Sequence, residues 1–160
     1  IVPDRPTVIR VPEAAIEALF RPANALVGAT GTGAQPADVK LIRIATDAHD
    51  FTLERELEEW SIVDRSETSV NPKAVDKLLD TLANLQASQV LLREYPRELE
   101  VAVVTLLGYD RLPIDTVRIV RDPSTGNWAF ENGDDVLRIM PADLELPLSP
   151  EAFASERAPR

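Results

Sequence analysis

One histidine sits between two carboxylates in this chain, as Asp47-Ala48-His49-Asp50. An imidazole flanked by acids is the kind of group that holds a metal ion or acts as a general base. Here it stands alone. No second histidine and no further acidic cluster at ligand spacing accompanies it, and the chain has no cysteine. A Asp-x-His-Asp run is also ordinary material for a solvated hairpin turn, and that is the reading taken here. Gly28-Ala29-Thr30-Gly31-Thr32-Gly33 invites comparison with phosphate-binding loops. Such a loop needs a Lys-Ser/Thr pair after its last glycine, or a strand before it and a helix after it. Gly33 is followed by Ala34, Gln35 and Pro36, so the stretch reads as a loop or flexible linker. Glu58-Glu59 and Asp134-Asp135 are adjacent acids, which point apart or into water rather than facing each other across the ~5–9 Å that glycoside hydrolysis requires. Ser124, Ser149 and Ser155 lack the Gly-x-Ser-x-Gly turn of a hydrolase nucleophile. From the residues alone, no catalytic, cofactor-binding or metal-ligating residue is assigned, and no cofactor is expected.

The elements that would carry these groups follow from periodicity. Residues 39–44, 51–55 and 60–63 read as short strands of an antiparallel meander, with Phe51, Leu53 and Arg55 on one face. Asn71 is a good N-cap and Pro72 a good first helical residue. Val75, Leu78, Leu79, Leu82 and Leu85 then form one apolar stripe, so a helix is expected over residues 72–86. Residues 101–106 are almost uniformly apolar, as in a central strand covered on both faces. Strands over 116–121, 128–130 and 136–140 follow, separated by the turn signals Pro123-Ser124-Thr125-Gly126 and Asn132-Gly133. Trp60, Trp128, Phe51 and Phe130 read as packing residues. The expected fold class is α+β: a mostly antiparallel sheet packed on one main amphipathic helix. Connections in the last third are too short for parallel crossovers, which excludes a doubly wound nucleotide-binding fold.

Composition narrows the setting. Acids outnumber bases by 27 to 17, for a formal charge of −10, and a field of that sign repels nucleic-acid phosphates and anionic lipid heads. No apolar run approaches the ~20 residues that span a bilayer. The chain starts at Ile1 without a methionine, as a processed or excised segment would.

The two ends echo each other. Thr7-Val8-Ile9-Arg10-Val11-Pro12 opens an acidic, Ala-rich stretch, and Asp135-Val136-Leu137-Arg138-Ile139-Met140-Pro141 opens another. Self-similarity at the ends is the mark of a tandem array. It divides the chain into residues 1–36, the tail of a preceding repeat plus a Gly/Pro linker; 37–150, the repeat domain; and 151–160, a frayed tail.

Leu41-Ile42-Arg43-Ile44, then Phe51-Thr52-Leu53-Glu54-Arg55, then Trp60, then the capped leucine helix from Asn71 to Leu85, and finally Val136-Leu137-Arg138-Ile139 form a recognisable order. Over residues 39–148 the chain resembles domain-of-unknown-function family 4340, an uncharacterised bacterial family. Its members occur in tandem repeats, often behind a membrane anchor, and some are encoded beside ABC-type transporters, including gliding-motility components. The resemblance carries no catalytic residues. It implies a non-catalytic, extracytoplasmic or membrane-anchored scaffold or binding module that meets protein partners. Contact with the membrane would come only through an anchor outside this chain. The alternatives are an enzyme using the Asp47/His49/Asp50 turn and a structural subunit of a large oligomer.

Overall fold

In a computed structural model of the chain, residues 28–65, 67–92 and 96–155 are described. Eight strands form a single sheet: β1 (Leu41–Ala45), β2 (Asp50–Glu56), β3 (Glu59–Ile62), β4 (Gln89–Leu92), β5 (Glu100–Leu107), β6 (Pro113–Arg121), β7 (Trp128–Glu131) and β8 (Val136–Met140). Their order across the sheet is β3-β2-β1-β5-β6-β7-β8-β4, and every pairing is antiparallel. Helix α1 (Pro72–Asn84) connects β3 to β4, and a single turn of helix, α2 (Pro150–Phe153), closes the described chain.

The expected class, α+β, is overturned. Strands dominate, and α1 is the one helix longer than a single turn among the described residues, so the protein is mostly β. The helix stripe was a strong local signal for an element that contributes little of the chain. One strand, β4, also escaped the reading. Gln89-Val90-Leu91-Leu92 has no alternation and is a strand only because it pairs with β8, almost fifty residues away.

α1 is built as its sequence suggests. The Asn71 side chain accepts a hydrogen bond from the Lys73 backbone N–H at 3.1 Å, and Pro72 occupies the first turn. Val75, Leu78, Leu79 and Leu82 are buried against Ile42, Ile44 and Leu53 of β1 and β2, Val104 and Leu106 of β5, and Phe130 of β7. This is the main core, on one face of the sheet.

β5 is central, but it is not covered on both faces as its apolar run suggested. Ala102, Val104 and Leu106 are buried, whereas Val101, Val103 and Leu107 are only half-buried. A second, smaller cluster lies on the opposite face near the far edge. Val120, Ala129 and Leu137 meet Leu91, Leu99 and Ile139 there. Ile119 and Val120, or Phe130 and Ala129, fall in different clusters because successive strand residues point to opposite faces.

The strongest sequence motifs are packing devices. Leu53 enters the core and Glu54 faces the other way. Arg55 stacks over its cross-strand partner Trp60 at 4.7 Å, and Arg121 over Trp128 at 4.8 Å. Both tryptophans are buried, as packing residues.

The expected linker, residues 141–149 and the first residues of the expected tail are all docked. Thr32 donates its N–H to the Leu82 carbonyl at 2.9 Å, and Ala87 donates to Ala29 at 2.9 Å. The Gly-rich loop therefore supplies a partner to one of the last helix carbonyls, which α1 itself leaves open. Residues 141–149 cross the core side, with Leu144, Leu146 and Leu148 packed inward and Leu144 O accepting the Trp128 indole N–H at 2.9 Å. Of the expected tail, Phe153 is fully buried against Phe51, ring centroids 5.9 Å apart, and Asn71 N–H bonds to its carbonyl at 2.7 Å. The N-terminal echo strand over residues 7–11 lies outside the described residues.

Candidate functional site

The Asp47/His49/Asp50 turn is the β1–β2 hairpin connection. Ala45 and Asp50 are the last paired residues, and Thr46 N–H donates to the His49 carbonyl at 2.7 Å. The Thr46 hydroxyl oxygen accepts the His49 N–H at 2.9 Å, which tightens the loop. The turn forms one wall of a cleft of about 660 Å³. Its other walls come from Val63, Asp64 and Arg65, just after β3, and from Pro150 at the start of α2.

The three residues of this turn, kept as the alternative catalytic set, are divided between two clefts. Asp50 is held by Arg43, whose Nε and Nη2 donate to its two carboxylate oxygens at 3.0 and 2.7 Å. That fork-on-carboxylate bond, followed by the guanidinium charge, holds the Asp50 carboxyl below the usual range and raises Arg43. Asp47 is exposed and lines a separate shallow cleft of about 160 Å³ beside residues 100–103. His49 and Asp50 share the larger cleft, where Arg65 pairs with Glu151 across 3.6 Å. Glu151 is held below the usual range by its own backbone N–H, then by the Ser149 hydroxyl and by the charges of His49 and Arg65. The cleft is thus lined by two arginines, a histidine and two carboxylates, Asp50 and Asp64, with Glu151 reaching Arg65 from beside it. No sequence signal linked Arg65 and Glu151 to His49, since 86 residues separate the two members of that ion pair.

The other candidates resolve into structure. The Ser124 hydroxyl and N–H both donate to the Asp122 carboxylate, at 2.6 and 2.8 Å, closing the β6–β7 turn. Ser149 is the N-cap of α2, and Ser155 N–H bonds to the Ser69 carbonyl at 2.8 Å. Glu58 and Glu59 are exposed at the β2–β3 turn. Asp135 is an exposed turn residue at φ 56°, while Asp134 turns inward to Arg138. Of the glycines of the phosphate-loop candidate, Gly31 is packed against protein, since a side chain there would meet Phe130 at 2.7 Å, whereas a side chain at Gly28 or Gly33 would meet nothing within 4 Å. Among the described residues no group of three or more His, Asp or Glu is placed to hold a metal ion.

Arg138 is the charged residue that sequence reasoning missed. It is buried, and it donates to the Gly28 carbonyl at 2.7 Å, the Val136 carbonyl at 3.1 Å, and Asp134 at 2.6 and 3.1 Å. It ties β8, the β7–β8 turn and the Gly-rich loop into one network. Its place in the echo, matching Arg10, was the available signal.

A family profile, Domain of unknown function (DUF4340), matches residues 1–105. The chain belongs to the DUF4340 family. The match runs through the hairpins β1–β3, α1 and β4, and ends inside β5, so it includes the Arg55–Trp60 packing pair described above. β6 to β8 lie beyond the DUF4340 match. No curated protein and no solved structure matches the chain.

Proposed function

We propose that this DUF4340 chain is a non-catalytic binding or scaffold module, working by contact within an extracytoplasmic, membrane-associated assembly. The observation that supports it is the free edge of the sheet. β4 is the last strand of the order, and on its outer side no strand follows among the described residues. Leu92, at its end, is 63% exposed. An open edge is a template for an added strand from another chain. The opposite edge is less available, because Ser69 bridges to Ser61 of β3. The membrane setting, the tandem arrangement and the association with ABC-type transporters rest on the resemblance to anchored family members. No helix among the described residues is long and apolar enough to cross a membrane, so attachment would lie elsewhere. The charge of −10 favours a basic or neutral protein partner over nucleic acid. An enzyme built on the Asp47/His49/Asp50 turn is disfavoured, because its side chains are divided between two clefts.

The test is a pull-down from the native membrane fraction, with Leu92→Lys as the edge-blocking control. Co-purification of an envelope or transporter component with the parent chain, reduced by Leu92→Lys, is expected. Recovery of soluble metabolic enzymes alone, or a parent gene encoding neither anchor nor export signal, rejects the proposal.

A further inference from the structure

A second surface, at one end of the sheet, is apolar, strained and ringed by acids. Strand register places it. Leu41 of β1 pairs with Glu54 of β2 and with Leu107 of β5, and Leu107 pairs with Pro113 of β6. The β2–β3 turn and the β5–β6 hairpin tip therefore project from the same end of the sheet. Leu57 in the first is 95% exposed. Tyr109, Leu112 and Ile114 in the second are 63%, 63% and 42% exposed. These are four of the six large apolar side chains left exposed among the described residues, and register gathers them at one place.

Two of the turn residues sit in a conformation that favours glycine or asparagine. Leu57 has φ 56° and Arg111 has φ 63°. A leucine in the left-handed region, with almost no packing in return, costs folding free energy at a position where asparagine would relieve both faults. The two tips are also fastened together. Arg111 Nη2 donates to Glu54 Oε1 at 2.8 Å, and Lys40 pairs with the same oxygen at 3.7 Å. That clamp engages two of the local cations and fixes the relative position of the tips before any partner arrives. β2 and β5 are separated by one intervening strand, about 10 Å, which is the width of an α-helix with its side chains.

Charge identifies the partner. Glu56, Glu58, Glu59 and Asp110 are all exposed around the apolar residues. An anionic bilayer would be repelled by that rim, and a second copy of this chain would bring the same acids. We propose that this end of the sheet docks a cationic amphipathic helix of a protein partner, its apolar stripe against Leu57, Tyr109 and Leu112 and its Lys/Arg flanks against the carboxylates. This rests on the contact-module reading and adds to it a second surface and the chemistry of its partner.

The probe is a synthetic Leu/Lys peptide with leucines at helical period, compared with a scrambled peptide of the same composition. Vesicles of phosphatidylcholine, with and without phosphatidylglycerol, form the lipid arm. Binding is followed by amide NMR shifts of the intact chain. The expected result is shifts confined to residues 56–59 and 108–114. Affinity should fall about tenfold with Leu57→Asn plus Leu112→Ser, and by a similar factor when leucine period is scrambled. Leu57→Asn relieves the turn, so its melting temperature should not fall, which separates lost binding from lost folding. Shifts scattered over the acidic surface, equal affinity for the scrambled peptide, or no effect of the double variant overturns the proposal. Vesicle binding through these tips without peptide binding overturns it in favour of a lipid surface. If this surface fails while Leu92→Lys still abolishes co-purification, the contact-module reading stands without it; if both fail, that reading falls as well.

Discussion

Replacing Gly31 by alanine isolates what the Gly-rich loop does. A methyl group there would lie 2.7 Å from Cδ2 of Phe130 and 3.1 Å from the carbonyl oxygen of Leu82. Carbon atoms in ordinary contact sit about 3.5–4.0 Å apart, so the loop or the ring must move by about 1 Å. Neither moves freely. Phe130 is fully buried in β7, and Leu82 O already accepts the Thr32 N–H at 2.9 Å. Two effects oppose each other. Restricting the unfolded chain at a former glycine stabilises by about 0.4–1 kcal/mol. Overpacking a well-filled core costs about 1–3 kcal/mol. The closeness of the contact decides for the second, so Gly31→Ala should destabilise by about 1–2 kcal/mol in urea melts. The mechanism is tested by a double-mutant cycle. Phe130→Val deletes the δ carbons that the methyl strikes, so adding Gly31→Ala to that background should cost about 1–2 kcal/mol less than in the parent. Equal costs in both backgrounds, or a neutral Gly31→Ala in the parent, would refute the claim that this loop is packed against the ring.

Two further outcomes probe the docked segments. Phe153→Ala should cost about 3–5 kcal/mol and lower the melting temperature by roughly 10–20 °C, since the ring is fully buried against Phe51; an unchanged melting temperature would mean that residues 151–155 are not part of the core. Arg138→Met should destabilise by about 3 kcal/mol near neutral pH, the low end for a broken buried pair because Asp134 keeps 37% of its side-chain surface. Burial alone would raise the Asp134 carboxyl, but the bonds and charge of Arg138 outweigh it and hold the group below its ordinary value. The pair's contribution is therefore complete above about pH 4 and is lost as pH falls through the depressed folded value. Urea melts across that range should show a flatter acid limb for Arg138→Met than for the parent, and an equal loss of stability at neutral and strongly acid pH would contradict the assignment.

The chain's local chemistry was legible wherever a short window contains its own cause. Asn71-Pro72 caps α1 with a hydrogen bond between residues two apart, and the stripe from Val75 to Leu82 buries the face that its spacing implies. Phe51-Thr52-Leu53 alternates because one side of β2 is core, and the turns at Pro123–Gly126 and Asn132-Gly133 fall between strands as their residue types require. What the window could not contain was decided by tertiary structure. Strand β4 exists through β8, so its four residues carried no strand signal of their own. The balance among the described residues between one helix of more than a single turn and eight strands, and hence the mostly-β class, depended on that pairing and on how far β5 and β6 extend. The Gly-rich loop is polar and flexible by composition, yet it is held by the Leu82 carbonyl of α1, by the Ala87 N–H and by Arg138, 110 residues away along the chain from Gly28. The same holds for the candidate sites. Asp47, His49 and Asp50 are neighbours in sequence, but Asp50 is held by Arg43 on β1, and Asp47 lines a different cleft from the one that His49 and Asp50 share. Conversely, Leu57 and Leu112 are far apart in sequence, and only the register through β1 sets their turns side by side. Hydrogen bonds and apolar stripes within a few residues are written in order along the chain, whereas a surface is assembled by strand pairing, which acts across any sequence distance.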